Sequence, residues 1–428
     1  MRLPLPRQMQ VLYNRNYRLY WFGQLVSLTG TWMQAVAQGW VVLALTGSVA
    51  ALGVVNFAVS LPTLFLTLTG GVMADRWDRR WLLIATQAGL MFCALLMALL
   101  LATDALTFEV LLAVSVLIGV ITAFDLPTQQ ALVPELVAPH EIPQAVAMNQ
   151  VIFNGSRLLG PAVAGAMATR FSLASLYLGN GLSFLAVIAS LLAIRVPGGR
   201  LQGGARGSML HALREGLGYV HRSRLLRALL AVVALSVLLL FPAVAVLPPA
   251  YVRDVLHHGL EVNGLLMAIS GGASLLGAFI MLWIPARRRG QAMLAAICAG
   301  ATALAMLALT RSLWVAGAAT GLSSLGFSLF MGLNATIVQQ MVPGALRGRV
   351  MSVSSLMFHG VFPFAALAMS VLVARLGFTP VYLAAAGIYV LLATALLLSS
   401  GIVGGLPLTV EAEGERLPPR APAATAAD

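Results

Sequence analysis

The sequence predicts an all-α membrane protein: twelve transmembrane helices in two pseudo-symmetric six-helix bundles. Three observations predict it. Of 428 residues, 60% are hydrophobic and only 9% charged, and the mean hydropathy is +0.91, outside the range of soluble globular domains. The breaks between apolar runs leave twelve segments of the roughly 20 residues that a bilayer requires. The chain also repeats: "LVPELVAPHEIPQAVAMNQVIFNG", ending at Gly155, returns loosely as "MVPGALRGRVMSVSSLMFHG", ending at Gly360, and "ATRFSLASLYLGNG" returns as "ARLGFTPVYLAAAG" about 205 residues on.

In order, the spans cover roughly 19–45, 50–73, 81–102, 106–124, 144–168, 172–194, 228–248, 264–285, 291–309, 313–336, 350–373 and 378–400. Each must be a helix, because unpaired backbone cannot face lipid. Span 1 is too long for a signal-peptide core and others follow it, so it is expected to be retained. The first bundle is residues 1–195 and the second 228–400. Between them, 196–227 is Gly- and Arg-rich and then amphipathic: Met209, Leu213, Leu217 and Val220 share one face, and Arg214, Glu215, His221 and Arg222 lie elsewhere. Such a helix is expected on the membrane surface. The tail 401–428, rich in Pro, Ala and Glu, is expected to be disordered.

Charge sets the orientation. The formal charge is +12, yet no basic stripe with interleaved aromatics marks a nucleic-acid site. All 26 basic residues are arginines, clustered between spans. With the N-terminus inside, 21 arginines fall on the inner side and four (Arg170, Arg253, Arg311, Arg375) on the outer, so both termini are expected to be cytoplasmic. Arg157 fits neither side. Cys93 and Cys298 lie within apolar runs and read as small hydrophobes.

One loop is unlike a plain topology anchor. "GGVMADRWDRR", Gly70 to Arg80, puts five charges between spans 2 and 3, with an aspartate at the end of an apolar span and a glycine one turn before it. It resembles the Gly-x-x-x-Asp-Arg-x-Gly-Arg-Arg signature of the major facilitator superfamily, matched by Gly71, Asp75, Arg76, Arg79 and Arg80, with Asp78 in place of the usual glycine. "NRNYRLYWFGQLVSLTGTWMQAVAQGWVVLALTGS" and "FDLPTQQALVPELV" are similar to the branch with the enterobactin exporter and macrolide efflux proteins. The resemblance covers nearly the whole chain. It implies a secondary transporter of the bacterial inner membrane that exports an amphipathic, siderophore- or drug-like small molecule by proton antiport, as a monomer in the lipid bilayer.

The loop's expected role is a conformational latch that holds the cytoplasmic side closed and whose contacts break in the inward-open state. Gly71 lets span 2 approach a neighbour, Asp75 meets the positive N-terminal end of span 11, the neighbour the resemblance implies, and Arg79 pairs with Asp125 at the end of span 4. The second half has only "PARRRG" in the matching place, so the latch is one-sided.

Span 5 carries "NGSRLLGPAVAG". Gly160, Pro161 and Gly165 resemble the Gly-Pro signature of helix 5 in superfamily antiporters, and they permit a kink and close packing. Arg157 must face protein or water, since a cation near mid-membrane costs roughly 3 kcal/mol or more. It reads either as an anion anchor or proton-group partner, or as a hub for backbone carbonyls. Span 1 aligns Gln24, Ser27, Thr31, Gln34 and Gln38 within about 80 degrees. Span 2 aligns Asn56, Ser60, Thr63 and Thr67, and span 5 adds Gln150 and Asn154. These stripes line a substrate cavity or bond helices to one another.

No carboxylate reads as securely mid-membrane, so His359, at the repeat position of Asn154, and Arg157 are the candidates for proton coupling. Coupling carried by the substrate is the further option. The six histidines form no acid-base or metal-ligand cluster, so neither an enzyme nor a cofactor is expected, and two rocking halves argue against a channel. An uptake permease or a lipid-exporting carrier of the same fold remains the alternative.

Overall fold

The computed structural model describes residues 7–194 and 209–404. The linker stretch 196–208 and the tail 405–428, for which sequence expectations were given, lie outside the described residues. Among the described residues every regular element is helical. The first half holds α1 (Arg15–Thr46), α2 (Val49–Arg76), α3 (Arg79–Ala102), α4 (Phe108–Leu132), α5 (Ile142–Ala168) and α6 (Leu173–Ala193). After α7 (Met209–Arg222), the second half holds α8 (Arg224–Leu239), α9 (Phe241–Ala245), α10 (Pro248–Asp254), α11 (Leu260–Leu282), α12 (Arg289–Leu309), α13 (Leu313–Met341), α14 (Gly344–Leu376) and α15 (Phe378–Ser399).

Nine segments among the described residues are long and apolar enough to cross a membrane. The other three expected spans depart for physical reasons. α1 and α5 are long enough at 32 and 27 residues but carry polar stripes. Span 7, expected as one helix over 228–248, is instead broken into α8, α9 and α10. Pro242, Pro248 and Pro249 open the two short pieces, where a missing N–H costs no helical hydrogen bond.

Within the first half α1 packs on α5 and α6, and α4 on α2 and α3; within the second, α13 packs on α11 and α12. The halves meet along two seams, α5 with α11 and α2 with α14, which exchange under the internal repeat. The linker helix α7 is docked on α14: its Gly216 backs onto the Arg349 carbonyl and Glu215 pairs with Arg349. Val220 is buried, so part of the face expected to meet the membrane packs against protein.

The two ends of the seams differ. One end of the molecule carries Arg79, Arg80, Arg289 and Arg349; call it the arginine-rich face. Toward the opposite face the halves touch closely. A Cβ built on Gly53 would lie 2.8 Å from the Ser370 Cβ, one on Gly264 would lie 2.6 Å from the Gly165 Cα, and one on Gly39 would strike Pro249. Toward the arginine-rich face the same four helices part: a Cβ on Gly71, Gly155 or Gly348 would meet nothing within 4 Å, and Phe153, Phe279 and Leu356 are exposed. The structure is therefore sealed at the arginine-poor face and open at the arginine-rich one.

Candidate functional site

The charged loop is shorter than the sequence implies. Asp75 and Arg76 are the last turn of α2, and Asp78 is the N-cap of α3, accepting from the Arg80 and Trp81 amides at 2.9 and 3.2 Å. Asp78 thus replaces the family's glycine with a residue suited to starting a helix. Arg79 donates to the Ala74 carbonyl at 3.0 Å, the Ala131 carbonyl at 3.2 Å, Glu135 at 2.6 Å and Asp75 at 3.3 Å. Arg80 donates to the carbonyls of Leu191 and Leu192 near the end of α6, at 2.6 and 2.8 Å.

One expectation is corrected here, the partner of Arg79, and two contacts expected only of the closed state, those of Gly71 and Asp75 with the second half, are absent among the described residues in this open one. Arg79 pairs with Glu135 and Asp75, not with Asp125. The reason is that α4 runs through Pro127 to Leu132, two turns beyond the expected end of span 4, which draws Asp125 inward and brings Glu135 to the arginine. The glycine that permits close helix packing is Gly70, whose built Cβ would lie 3.0 Å from the Phe124 Cα of α4, whereas Gly71 faces open space. Asp75 has a 60% exposed side chain and, among the described residues, no hydrogen bond or ion pair to α14. Arg76 is exposed as well. In this state the loop staples the first half to itself and leaves Gly71 and Asp75 free toward the second.

Asp125 is buried at 5% exposure. It accepts from Thr86 at 2.6 Å and Gln87 at 2.8 Å on α3, and from Gln129 at 2.6 Å one turn along α4. Three donors satisfy a buried carboxylate without a cation.

On the open side of the first half α5 stands against α1. Arg157 places its guanidinium carbon 5.8 Å from the Trp32 ring centroid, and Trp32 meets Phe153 edge-on at 5.8 Å. This is cation–π geometry on an aromatic pair. The orientation follows from helix phase. Ala164, seven residues on and about 20 degrees away, is wholly buried in the sealed end, while Phe153, one turn back, is 44% exposed in the open end. The Arg157 backbone lies against Gly271 of α11, whose built Cβ would be 2.7 Å from the Arg157 carbonyl oxygen. Arg157 thus lies between α1 and α11 on the inward face of α5, where the halves begin to part. Among the described residues it has no hydrogen-bond acceptor or acidic partner, so the carbonyl-hub reading does not describe it.

The helix-5 motif explains this placement. A Cβ on Gly160 would sit 2.5 Å from the Trp32 Cβ, and α11 reaches the Pro161 carbonyl and Gly165 through Gly264. These small residues hold α5 tightly between α1 and α11.

The second half answers with rings. Phe241 of α9 lies 4.9 Å from Phe327 of α13 and 5.2 and 5.0 Å from Phe358 and Phe362 of α14. Under the 205-residue repeat Phe358 corresponds to Phe153 and Phe362 to Arg157. The same stack is thus built twice, with an arginine on one side only.

The polar stripes divide. Thr31 is exposed and Gln38 half-buried, but Gln24 bonds Tyr20 at 3.1 Å and Gln34 accepts from Asn180 of α6 at 2.6 Å, so these two glutamines are packing contacts of the first half. Gln34 and Gln38 line a small void of about 10 Å³ with Ser115 and Tyr177, about one water in size. Asn56 and Asn154 are half-buried and bond their own helices at Leu52 and Gln150, and Thr63 bonds the Gly119 carbonyl of α4 at 2.9 Å. His359 is exposed, its Nδ1 3.0 Å from the Ser355 carbonyl. It shares a face of α14 with Ser370, which packs on Gly53, so it looks into the open part of the α2–α14 seam.

Sequence reasoning did not find Trp32, Phe241 or Glu135. The prolines around Phe241 were the available signal, because an interrupted apolar segment marks cavity-lining backbone.

The profile of the transmembrane secretion effector family matches residues 8–409. The chain is 30% identical to the staphyloferrin A transporter of Staphylococcus aureus over 164 residues, 38% of this chain and 41% of that transporter's length. It is 27% identical to the multidrug efflux pump Tap of Mycolicibacterium fortuitum over 354 residues, 80% of this chain and 85% of the pump. Among solved structures it resembles a D-xylose-proton symporter (TM-score 0.69, 15% identity, 90% of this chain and 97% of that one). It also resembles a bacterial homologue of the iron transporter ferroportin in an inward-facing state (TM-score 0.66, 18% identity, 90% and 98%).

Proposed function

Because this chain belongs to the transmembrane secretion effector family of the major facilitator superfamily, we propose that it exports an amphipathic organic small molecule from the cytoplasm by proton antiport with alternating access. The observation that carries this reading is the cavity at Arg157 and Trp32, sealed at the arginine-poor face and open at the arginine-rich face. The positive-inside rule assigns the arginine-rich face to the cytoplasm of a bacterial inner membrane, so the cavity is open to the side from which an exporter loads. Relatives named for siderophore transport and multidrug efflux support a substrate of this size and character. A rocking motion about the midplane then closes the open ends of both seams and parts the sealed ones, and on closure Gly71 and Asp75 reach α14 as the latch. His359, facing the open seam, is the candidate proton acceptor.

The test uses inside-out vesicles containing the protein, given a panel of fluorescent amphipathic compounds with and without an imposed proton gradient. Gradient-dependent accumulation is expected. Accumulation only in right-side-out vesicles would make the protein an uptake permease.

A further inference from the structure

We propose that the cavity is selective for charge sign. It takes organic anions, whose anionic group sits on Arg157 and Trp32 and whose apolar body lies against Phe241, Phe358 and Phe362, and it rejects lipophilic cations. This rests on the carrier reading above and adds its substrate class.

Among the described residues Arg157 has neither an acid nor a hydrogen-bond acceptor as partner, while the acids are engaged elsewhere or lie at helix ends. Asp75 and Glu135 hold Arg79, Asp254 holds Arg253, Glu215 holds Arg349, and Asp125 is enclosed by Thr86, Gln87 and Gln129. Beside the Arg157 guanidinium, then, no described residue places a carboxylate. In a site of low dielectric an unpaired guanidinium attracts anions and repels cations far more strongly than it would in water.

Two further features fit an anion. The Trp32 Nε1–H is buried and has no acceptor among the described residues, so a second donor lies within the same stack. The guanidinium retains its planar donor fork, which matches a carboxylate, sulfonate or phosphate in two parallel bonds. The repeat then orients the ligand. Where the first half sets Arg157 on its aromatic pair, the second sets Phe362 on Phe241 and Phe358, so the charged and apolar ends of one molecule have different halves to bind.

The test compares two aromatic probes of opposite charge, pyrenebutyrate and tetraphenylphosphonium, for binding to the purified full chain and for counterflow in proteoliposomes. The wild type is expected to bind and move pyrenebutyrate and not tetraphenylphosphonium. Arg157→Ala should weaken pyrenebutyrate by about tenfold or more, as for loss of a charge-assisted hydrogen bond. Arg157→Lys should weaken it less, and Arg157→Glu should reverse the preference. Trp32→Phe removes the indole donor but keeps the ring, and should weaken the anion severalfold. Should the arginine variants fail to fold, the wild-type comparison decides alone. Equal handling of both probes, preference for the cation, or binding of neither across a series of aromatic carboxylates and sulfonates would overturn the proposal. Failure of the exporter reading appears differently: the anion is bound selectively, but transport is inward or indifferent to the proton gradient.

Discussion

Gly264 of α11 and Gly165 of α5 meet across the seam so closely that a Cβ on Gly264 would lie 2.6 Å from the Gly165 Cα and 2.7 Å from the Pro161 carbonyl oxygen. All of these are backbone atoms within packed helices, so they cannot step aside as a side-chain tip would. Gly264→Val is therefore expected to wedge the sealed end open, at an overpacking cost of about 1–3 kcal/mol. A cost of one or two kcal/mol shifts a two-state ratio roughly 5- to 30-fold, toward the conformation open at the arginine-poor face. Spin labels at Thr46 and His258 should report a longer distance in the variant. An unchanged distance would mean that this contact does not set the seal.

Arg253 of α10 ties the same end by a different force. Its guanidinium donates to the Leu43 carbonyl at 3.4 Å and the Gly47 carbonyl at 3.1 Å, at the C-terminus of α1, where Gly47 closes the helix with φ of 63°. A cation there also meets the negative end of the helix dipole, an effect of about 0.3–1 kcal/mol that salt screens. Arg253→Ala should shift the same label pair in the same direction but only a few-fold, and the difference from wild type should shrink in high salt. Arg253→Lys should retain part of the effect.

What could be read in advance follows from where the information lies. Helix number and edges come from apolar runs and turn residues, which are local, and the Asp78 cap is likewise a local preference. The partner of Arg79 is not local: Glu135 lies 56 residues on, and only the continuation of α4 through Pro127 brings it there. The span 1 stripe divides between both of its expected uses for a related reason. Its width covers both the face toward α6, where Gln34 meets Asn180, and the face toward open space, where Thr31 lies. Arg157 was legible because the cost of burying a lone cation constrains it to an interior face in any packing.

Asp125 sits at the centre of a network that joins α3 to α4. Removing its carboxylate strands the buried Gln87 amide and takes a partner from Gln129, while the Thr86 hydroxyl keeps the Leu83 carbonyl at 2.9 Å, and a buried donor left unsatisfied costs about 1–3 kcal/mol. Asp125→Ala should therefore lower thermal stability in detergent clearly, with loss of folded yield. Asp125→Asn should be milder, since the amide oxygen still accepts while its NH₂ faces competing donors. Thermal unfolding followed by tryptophan fluorescence measures both. A melting temperature for Asp125→Ala within a degree of wild type would show that the network does not hold the first half together.

Asp75 and Arg79 are bonded to each other, yet their substitutions should separate two functions. Arg79 has a side chain only 13% exposed and joins the end of α2 to α4 through the Ala131 carbonyl and Glu135. Arg79→Ala leaves the Glu135 carboxylate and the Ala74 and Ala131 carbonyls without their donor, and should lower stability by about 1–3 kcal/mol whatever the transport state. Asp75 is more than half exposed and has one partner, so Asp75→Asn should change stability by less than about 0.5 kcal/mol. Its effect should appear in turnover instead. If Asp75 reaches the N-terminus of α14 when the open face closes, the neutral side chain loses its attraction to that helix end, and transport per folded molecule should fall strongly while the fold is kept. Vesicle transport normalised to folded protein, measured beside the melting temperature, separates the two outcomes. Normal turnover in Asp75→Asn would remove the latch assignment, and a destabilised Asp75→Asn would move the aspartate into the staple with Arg79.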